Sequence, residues 1–256
     1  MKKYLIITLL SIAGISTSLA QEYKINQSAG KLILNLSSVT VEGYNGNEIV
    51  FSSTKNEAEM DPRAKGLRAI NGAGYTDNSG LGISVEQKGN TTEVNQVASS
   101  DLAIKILVPK SVIVSLACHK ISNSGKIVFK NTENEIEIST DYNQISLENI
   151  SGPATVRALY GSIDATFSDN IKGPISIASI YSTVDVTIPT TTKANVKLST
   201  SHGEILASAD LKIEFEKSAD SDMVNYGSNV NGKLNGGGLD FKLTSEYSKI
   251  YLRKSK

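Results

Sequence analysis

Between Glu135 and Leu206 the apolar residues follow a pattern that repeats about every twenty residues, with a further copy near the C-terminus. Aligned on one corner residue, position zero, the copies read Tyr142-Asn143-Gln144-Ile145, Tyr160-Gly161-Ser162-Ile163, Tyr181-Ser182-Thr183-Val184, His202-Gly203-Glu204-Ile205 and Tyr247-Ser248-Lys249-Ile250. The corners follow one another at steps of 18, 21 and 21 residues, then 45, which is about two more periods. Four residues before the corner stand Ile138, Val156, Ile177, Leu198 and Leu243, and three after it Ile145, Ile163, Val184, Ile205 and Ile250. Two before it the residues are small: Thr140, Ala158, Ser179, Thr200 and Ser245. Inward positions are therefore even before the corner and odd after it. A strand changes face in this way only at a bend, so each copy predicts two short strands joined by a corner.

Such a unit cannot bury its inner face alone, and a fixed period near 20 residues predicts stacked rungs. The expected fold is all-β: a single-domain β-solenoid-like stack of two-strand rungs. Offsets of −6, −4, +3 and +5 do not fit a 3.6-residue helical period. An ordinary two-sheet sandwich is the rival, because alternating short strands serve both architectures.

The N-terminal part alternates with period two through Leu32, Leu34 and Leu36, then Val39 and Val41, then Ile49 and Phe51, with a hairpin signal at Asn45-Gly46. It predicts antiparallel strands that cap an open end of the stack. Residues 55–100 read as a loop-rich insertion. Asp61 to Gly66 predicts a short helical turn, Ile70 to Leu81 irregular chain, and Leu81 to Val85 a return to alternation, with a turn at Gly89-Asn90. Binding residues concentrate on such loops. Leu102 to Leu116 predicts two strands on either side of Pro109.

Residues 1–20 are expected to be a secretory signal. Lys2-Lys3 precede a mostly apolar stretch from Leu5 to Ile15, and Ser18-Leu19-Ala20 places small residues before cleavage after Ala20. The stretch is short for a bilayer core of roughly 30 Å, so no transmembrane segment is expected in the mature chain, residues 21–256. The protein is then periplasmic, extracellular or at the cell surface. Of 26 basic residues, removing Lys2 and Lys3 leaves 24 against 26 acidic, a net charge of −2. That leaves no basic field to hold nucleic acid or anionic lipid. Cys118 stands alone, so no intramolecular disulfide staples the fold, and its place in a strand suits a small core residue.

The recurring T-x-Y/H-G-x-I-x-V rungs resemble the bacterial "putative adhesin" β-strand-repeat family. So do Val39-Thr40-Val41-Glu42-Gly43 with Asn45 to Phe51, the strand end Leu107-Val108-Pro109, and the closing run from Gly232 to Leu243. The resemblance implies an exported β-solenoid akin to autotransporter-adhesin head domains, with no established catalytic residues.

Candidate chemistry is sparse. Tyr142, Tyr160, Tyr181 and His202, with Tyr247 at the same position of the last copy, would stack as a ladder at the corner if the rungs are consecutive, serving either to cover the turn or to contact a partner. Asp164 and Asp185 fall on adjacent rungs of an outward face. Two carboxylates fall short of the six to eight oxygens of a calcium site, and an acid–base pair would need a shaped, water-excluding pocket. Cys118 and His119 point to opposite faces, and two histidines supply no metal cluster. No cofactor is expected. The expectation is a non-catalytic envelope scaffold engaging protein or glycan partners. The alternatives are a carbohydrate-active enzyme using the outward acids, and a structural module acting by oligomerisation.

Overall fold

The computed structural model describes residues 22–53, 62–64, 66–98, 104–119, 124–216 and 228–255. The expected signal segment lies outside them. The described chain is built from β-strands, and Pro62–Ala64 forms a single 3-10 turn where a helical turn is expected. No described helix is long and apolar enough to cross a membrane.

The strands form two sheets, and each rung contributes one strand to either. In chain order the rungs are β2 (Ala29–Asn35) with β3 (Val39–Tyr44), β6 (Thr91–Gln96) with β7 (Ile104–Pro109), β8 (Ser111–Cys118) with β9 (Lys126–Lys130), and β10 (Ile136–Thr140) with β11 (Gln144–Ile150). Then follow β12 (Ala154–Ala158) with β13 (Ile163–Phe167), β14 (Ile175–Ser179) with β15 (Val184–Ile188), β16 (Ala194–Thr200) with β17 (Ile205–Ala207), and β20 (Leu239–Ser245) with β21 (Ile250–Lys254). Neighbouring rungs pair in parallel in both sheets, as in Ile138↔Val156 and Ile145↔Ile163. Parallel pairing through every rung makes this a solenoid-like stack and not a sandwich of antiparallel hairpins.

The rungs do not stack in chain order. In space they run β6–β7, β2–β3, β8–β9, β10–β11, β12–β13, β14–β15, β20–β21, β16–β17. The C-terminal rung is inserted: β20 pairs with both β14 and β16, and β21 with both β15 and β17. Spacing in the sequence places Tyr247 two periods beyond His202; the structure places it between Tyr181 and His202. The crossover that permits this, residues 235–238, passes over the β15–β16 connection, where Asn235 Nδ2 donates to the carbonyls of Thr190 and Thr192.

Both ends of the stack carry antiparallel strands. At the N-terminal end β1 (Glu22–Ile25) pairs with β4 (Ile49–Ser53), β4 with β7, and β5 (Ile83–Lys88) with β6. At the other end β18 (Ile213–Phe215) and β19 (Ser228–Leu234) cover β16. The β2 and β3 strands, which alternate just as β1 and β4 do, form a rung instead. Of the segment 55–100, its last third is therefore sheet: β6 pairs in parallel with β2.

The core is the column between the two inner faces. Ile138, Val156, Ile177, Leu243 and Leu198 line one wall, all at most 2 % exposed. Ile145, Ile163, Val184 and Ile250 are fully buried on the other, while Ile205 is only partly buried because no rung follows it. Cys118 sits in the small-residue row, register-matched to Thr140, and is buried.

The edge opposite the corners is tied by charge. Glu133 accepts from both Lys110 and Lys172, and these two ammonium groups lower its carboxyl to about 2. A depressed folded-state pKa stabilises above the ordinary carboxylate range and loses that stabilisation as pH falls toward about 2. Glu133→Gln should therefore melt below the parent at neutral pH, with the gap closing in acid. A gap independent of pH in thermal melts would rule out this linkage.

Candidate functional site

The corner edge carries the residues the repeat singles out. Three sets of bonds hold it rigid. The position-zero amide of each rung donates to the carbonyl one residue before the preceding corner: Tyr160 to Asp141 at 2.7 Å, Tyr181 to Leu159 at 2.9 Å, Tyr247 to Ile180 at 2.9 Å and His202 to Glu246 at 2.8 Å. The small residues at minus two add a second tie. Ser179 Oγ donates to the Gly161 carbonyl, Ser245 Oγ to Ser182 and Thr200 Oγ1 to Ser248, at 3.1, 3.0 and 3.3 Å. Their size is visible in the sequence, but their use as rung-to-rung donors depends on the stacking order. Finally, Asn143 Nδ2 reaches the carbonyls of Ser37 and Gly125, at 2.7 and 3.2 Å, across two more rungs.

On this frame the rings form one continuous line. Centroids lie 5.1 Å apart for Tyr142–Tyr160, 4.8 Å for Tyr160–Tyr181, 5.2 Å for Tyr181–Tyr247 and 5.1 Å for Tyr247–His202, with planes within 15° of parallel throughout. The structure thus brings together Tyr142, Tyr160, Tyr181 and His202 and adds Tyr247 between the last two. Tyr160, Tyr181 and Tyr247 are about half exposed, at 49, 50 and 53 %. Because each inner ring has a neighbour on both faces, the line presents ring edges and phenolic hydroxyls to solvent. Beside it runs the row at minus one, with partly exposed Leu159 and exposed Ile180 in the middle, Asp141 at one end, and Glu246 and Ser201 at the other. The result is an apolar ridge with a hydroxyl crest, flanked by acids.

Local charge is largely compensated. His119 Nδ1 lies 2.9 Å from Asp141 Oδ1. Lys249, 2.8 Å from Glu204, holds that carboxyl below its usual range.

Asp164 and Asp185 are not part of the ridge. They are register partners on the outward face of the second sheet. Asp185 is taken up by Arg253, whose Nε and Nη2 donate to its two oxygens at 2.7 and 2.8 Å, and the guanidinium lies 5.1 Å from the Tyr251 ring centroid. That partner comes from the inserted rung, 68 residues away in the chain. Among the described residues, no three His, Cys, Asp or Glu side chains are grouped to hold a metal ion.

Comparison with protein-family models gives no match, and comparison with curated protein sequences gives none. Two solved structures are similar in fold. A "putative cell adhesion protein" from Clostridium sporogenes ATCC 15579 is 15 % identical with a TM-score of 0.46, over 92 % of this chain and 100 % of that one. A "putative adhesin" from Bacteroides fragilis NCTC 9343 is 12 % identical with a TM-score of 0.41, over 93 % of this chain and 96 % of that one.

Proposed function

We propose that this chain is an exported, non-catalytic binding scaffold of the cell envelope, adhesin-like, and that the corner ridge is its line of contact with a protein or glycan partner. The five-ring ladder carries this reading. A half-exposed aromatic row beside Leu159 and Ile180 is apolar surface that the fold leaves in water, and it is already ordered by stacking and backbone bonds. Binding there costs little side-chain entropy, which is why rigid aromatic anchors recur at interaction surfaces. The outward acids support the non-catalytic side of the reading. Asp185 is spent on Arg253, and it shares an outward sheet face with Asp164. Export rests on the signal-like residues 1–20.

The test pairs a glycan array and binding to intact cell envelopes with an assay for released reducing sugar, on residues 21–256. Tyr160→Phe/Tyr181→Phe keeps the stack and removes two hydroxyls; Ile180→Lys places a charge on the ridge. Binding without turnover, weakened by both variants, is the expected outcome. Sugar release abolished by Asp164→Asn with Asp185→Asn would reverse the assignment. Binding indifferent to both ridge variants would move the contact line elsewhere.

A further inference from the structure

The corner edge continues past Tyr142, and it changes character there. His119, in the next rung, stands over Asp141. In the rung beyond, the corner is shorter. Register matches Leu34 to Leu116 and Ile138, and Val39 to Ile127 and Ile145. The chain therefore passes from Leu36 to Val39 in three steps, where the next rungs along take more, five from Thr140 to Ile145. The corner of this rung is thus two residues shorter than that of the Tyr142 rung.

A loop is tied to that short corner. Asn71 Oδ1 accepts from the amides of Ala73 and Tyr75, each at 3.0 Å, and its Nδ2 donates to the Gln96 carbonyl at 2.9 Å. Gln96 Oε1 accepts from the amide and hydroxyl of Ser37, at 3.2 and 2.8 Å, and its Nε2 donates to Ala98. Asn71 and Gln96 are thus spent on architecture. They leave a cavity of about 540 Å³ at the head of the ridge, with Leu36, Val97 and Ala117 supplying apolar wall.

The groups left for a ligand are of one kind. The Tyr75 hydroxyl, Asn35 Oδ1 and His119 Nε2 face no hydrogen-bond partner among the described residues, and all three residues line the cavity. No Asp, Glu, Lys or Arg lines it among the described residues. Two acids stand just outside the lining: Glu93 accepts from the side-chain amides of Asn35 and Asn95, and Asp141 lies 2.9 Å from His119 Nδ1. Among the described residues of the lining an anionic ligand would find no Lys or Arg and a cationic one no carboxylate, and an apolar ligand would strand the phenol and amide groups. A ligand that both donates and accepts, carries no charge and has one weakly apolar face meets each of these conditions. The volume is within the usual range for small-molecule sites.

We propose that this cavity is a binding site for a sugar unit of an uncharged glycan, with the rest of the glycan running down the ridge from Tyr142 toward His202. The proposal rests on the ridge being the contact line. It makes the corner edge a two-part site: the cavity selects the ligand by its lack of charge, and the ridge extends the contact.

The experiment is affinity measurement on residues 21–256 with immobilised panels of neutral oligosaccharides and of sulfated or uronic-acid oligosaccharides. Tyr75→Ala and His119→Ala empty the cavity's free groups. Ala73→Trp, on the exposed loop, fills it. The two ridge variants above serve as the second arm, and thermal melts confirm that each variant is folded. The expected result is binding to neutral members only, weakened about tenfold or more by each cavity variant, on the scale of one lost hydrogen bond in a desolvated site. Parent-like binding by all three cavity variants, with loss in the ridge variants, would overturn the cavity assignment and leave the ridge reading standing. Loss in the cavity variants with unchanged binding in the ridge variants would overturn the two-part site at the ridge. Binding confined to anionic members, or no binding to either panel, would also overturn the proposal.

Discussion

A chain lacking residues 239–256 should fail to fold cooperatively, although the deletion removes only the last in sequence of the eight described rungs. In a stack assembled in chain order, losing a terminal rung costs one interface. Here β20 and β21 lie between two others, so both interfaces go at once. Phe241, Leu243, Ile250 and Leu252 are at most 1 % exposed. At 1.5–3 kcal/mol for each buried side chain, their loss removes about 6–12 kcal/mol, comparable with the roughly 5–15 kcal/mol that holds a whole domain. The deletion also bares the β14–β15 and β16–β17 rungs to water. Far-ultraviolet circular dichroism on heating should show no sigmoidal transition. A cooperative melt within a few degrees of the parent would mean that β16–β17 had docked directly on β14–β15.

The second large effect is expected from one methyl group. At Gly161 an added Cβ would lie 1.8 Å from the Asn143 carbonyl oxygen and 2.8 Å from its carbon. Both are backbone atoms of the neighbouring corner, and Asn143 is itself pinned to Ser37 and Gly125. Relief requires parting two rungs at their tightest point. Gly161→Ala should therefore cost about 1–3 kcal/mol or more, as overpacking in a closed core does. In a chain of this size that lowers the melting temperature by about 2–4 °C for each kcal/mol. Gly72→Ala is the control, since nothing stands within 4 Å of its Cβ position and it should change stability by under about 0.5 kcal/mol. Equal melts for the two variants would remove the steric account of the glycines one residue past the corner.

The same residues explain how far the sequence can be read. Parity switches around Tyr142, Tyr160, Tyr181 and His202 are visible because burial alternates on either side of a bend, and they carry the two-sheet stack and the ring ladder directly. The order of rungs is hidden by that same repetition. Leu198 and Leu243 occupy equivalent positions, as do Ile205 and Ile250, so either rung fits beside β14–β15. What separates them is the antiparallel cover that β19 lays on β16, a long-range pairing with no local signature. Asp185 illustrates the consequence: its partner Arg253 is 68 residues away and becomes a neighbour only once the last rung is inserted. The strands β1 and β2 alternate alike, yet one caps and the other stacks. The step from Leu36 to Val39 carries the parity switch of a rung but no corner tyrosine, and its shortness has meaning only after register is known. The cavity at the head of the ridge arises from that shortness.

Because Tyr247 lies between Tyr181 and His202, the order of the rungs sets both the fold and the order of rings along the proposed site. Oxidative cross-linking of paired cysteines tests it directly. Ala178 and Thr244 are register partners on the outward face, as are Thr244 and Ser199. Adjacent parallel strands stand about 4.8 Å apart, within the 4.4–6.8 Å range that a disulfide spans, whereas two strands apart is beyond it. Ala178→Cys/Thr244→Cys should close a disulfide readily, and Ala178→Cys/Ser199→Cys should remain reduced. Ready closure of Ala178→Cys/Ser199→Cys, with Ala178→Cys/Thr244→Cys left open, would contradict the inserted rung and with it the order of rings along the ridge.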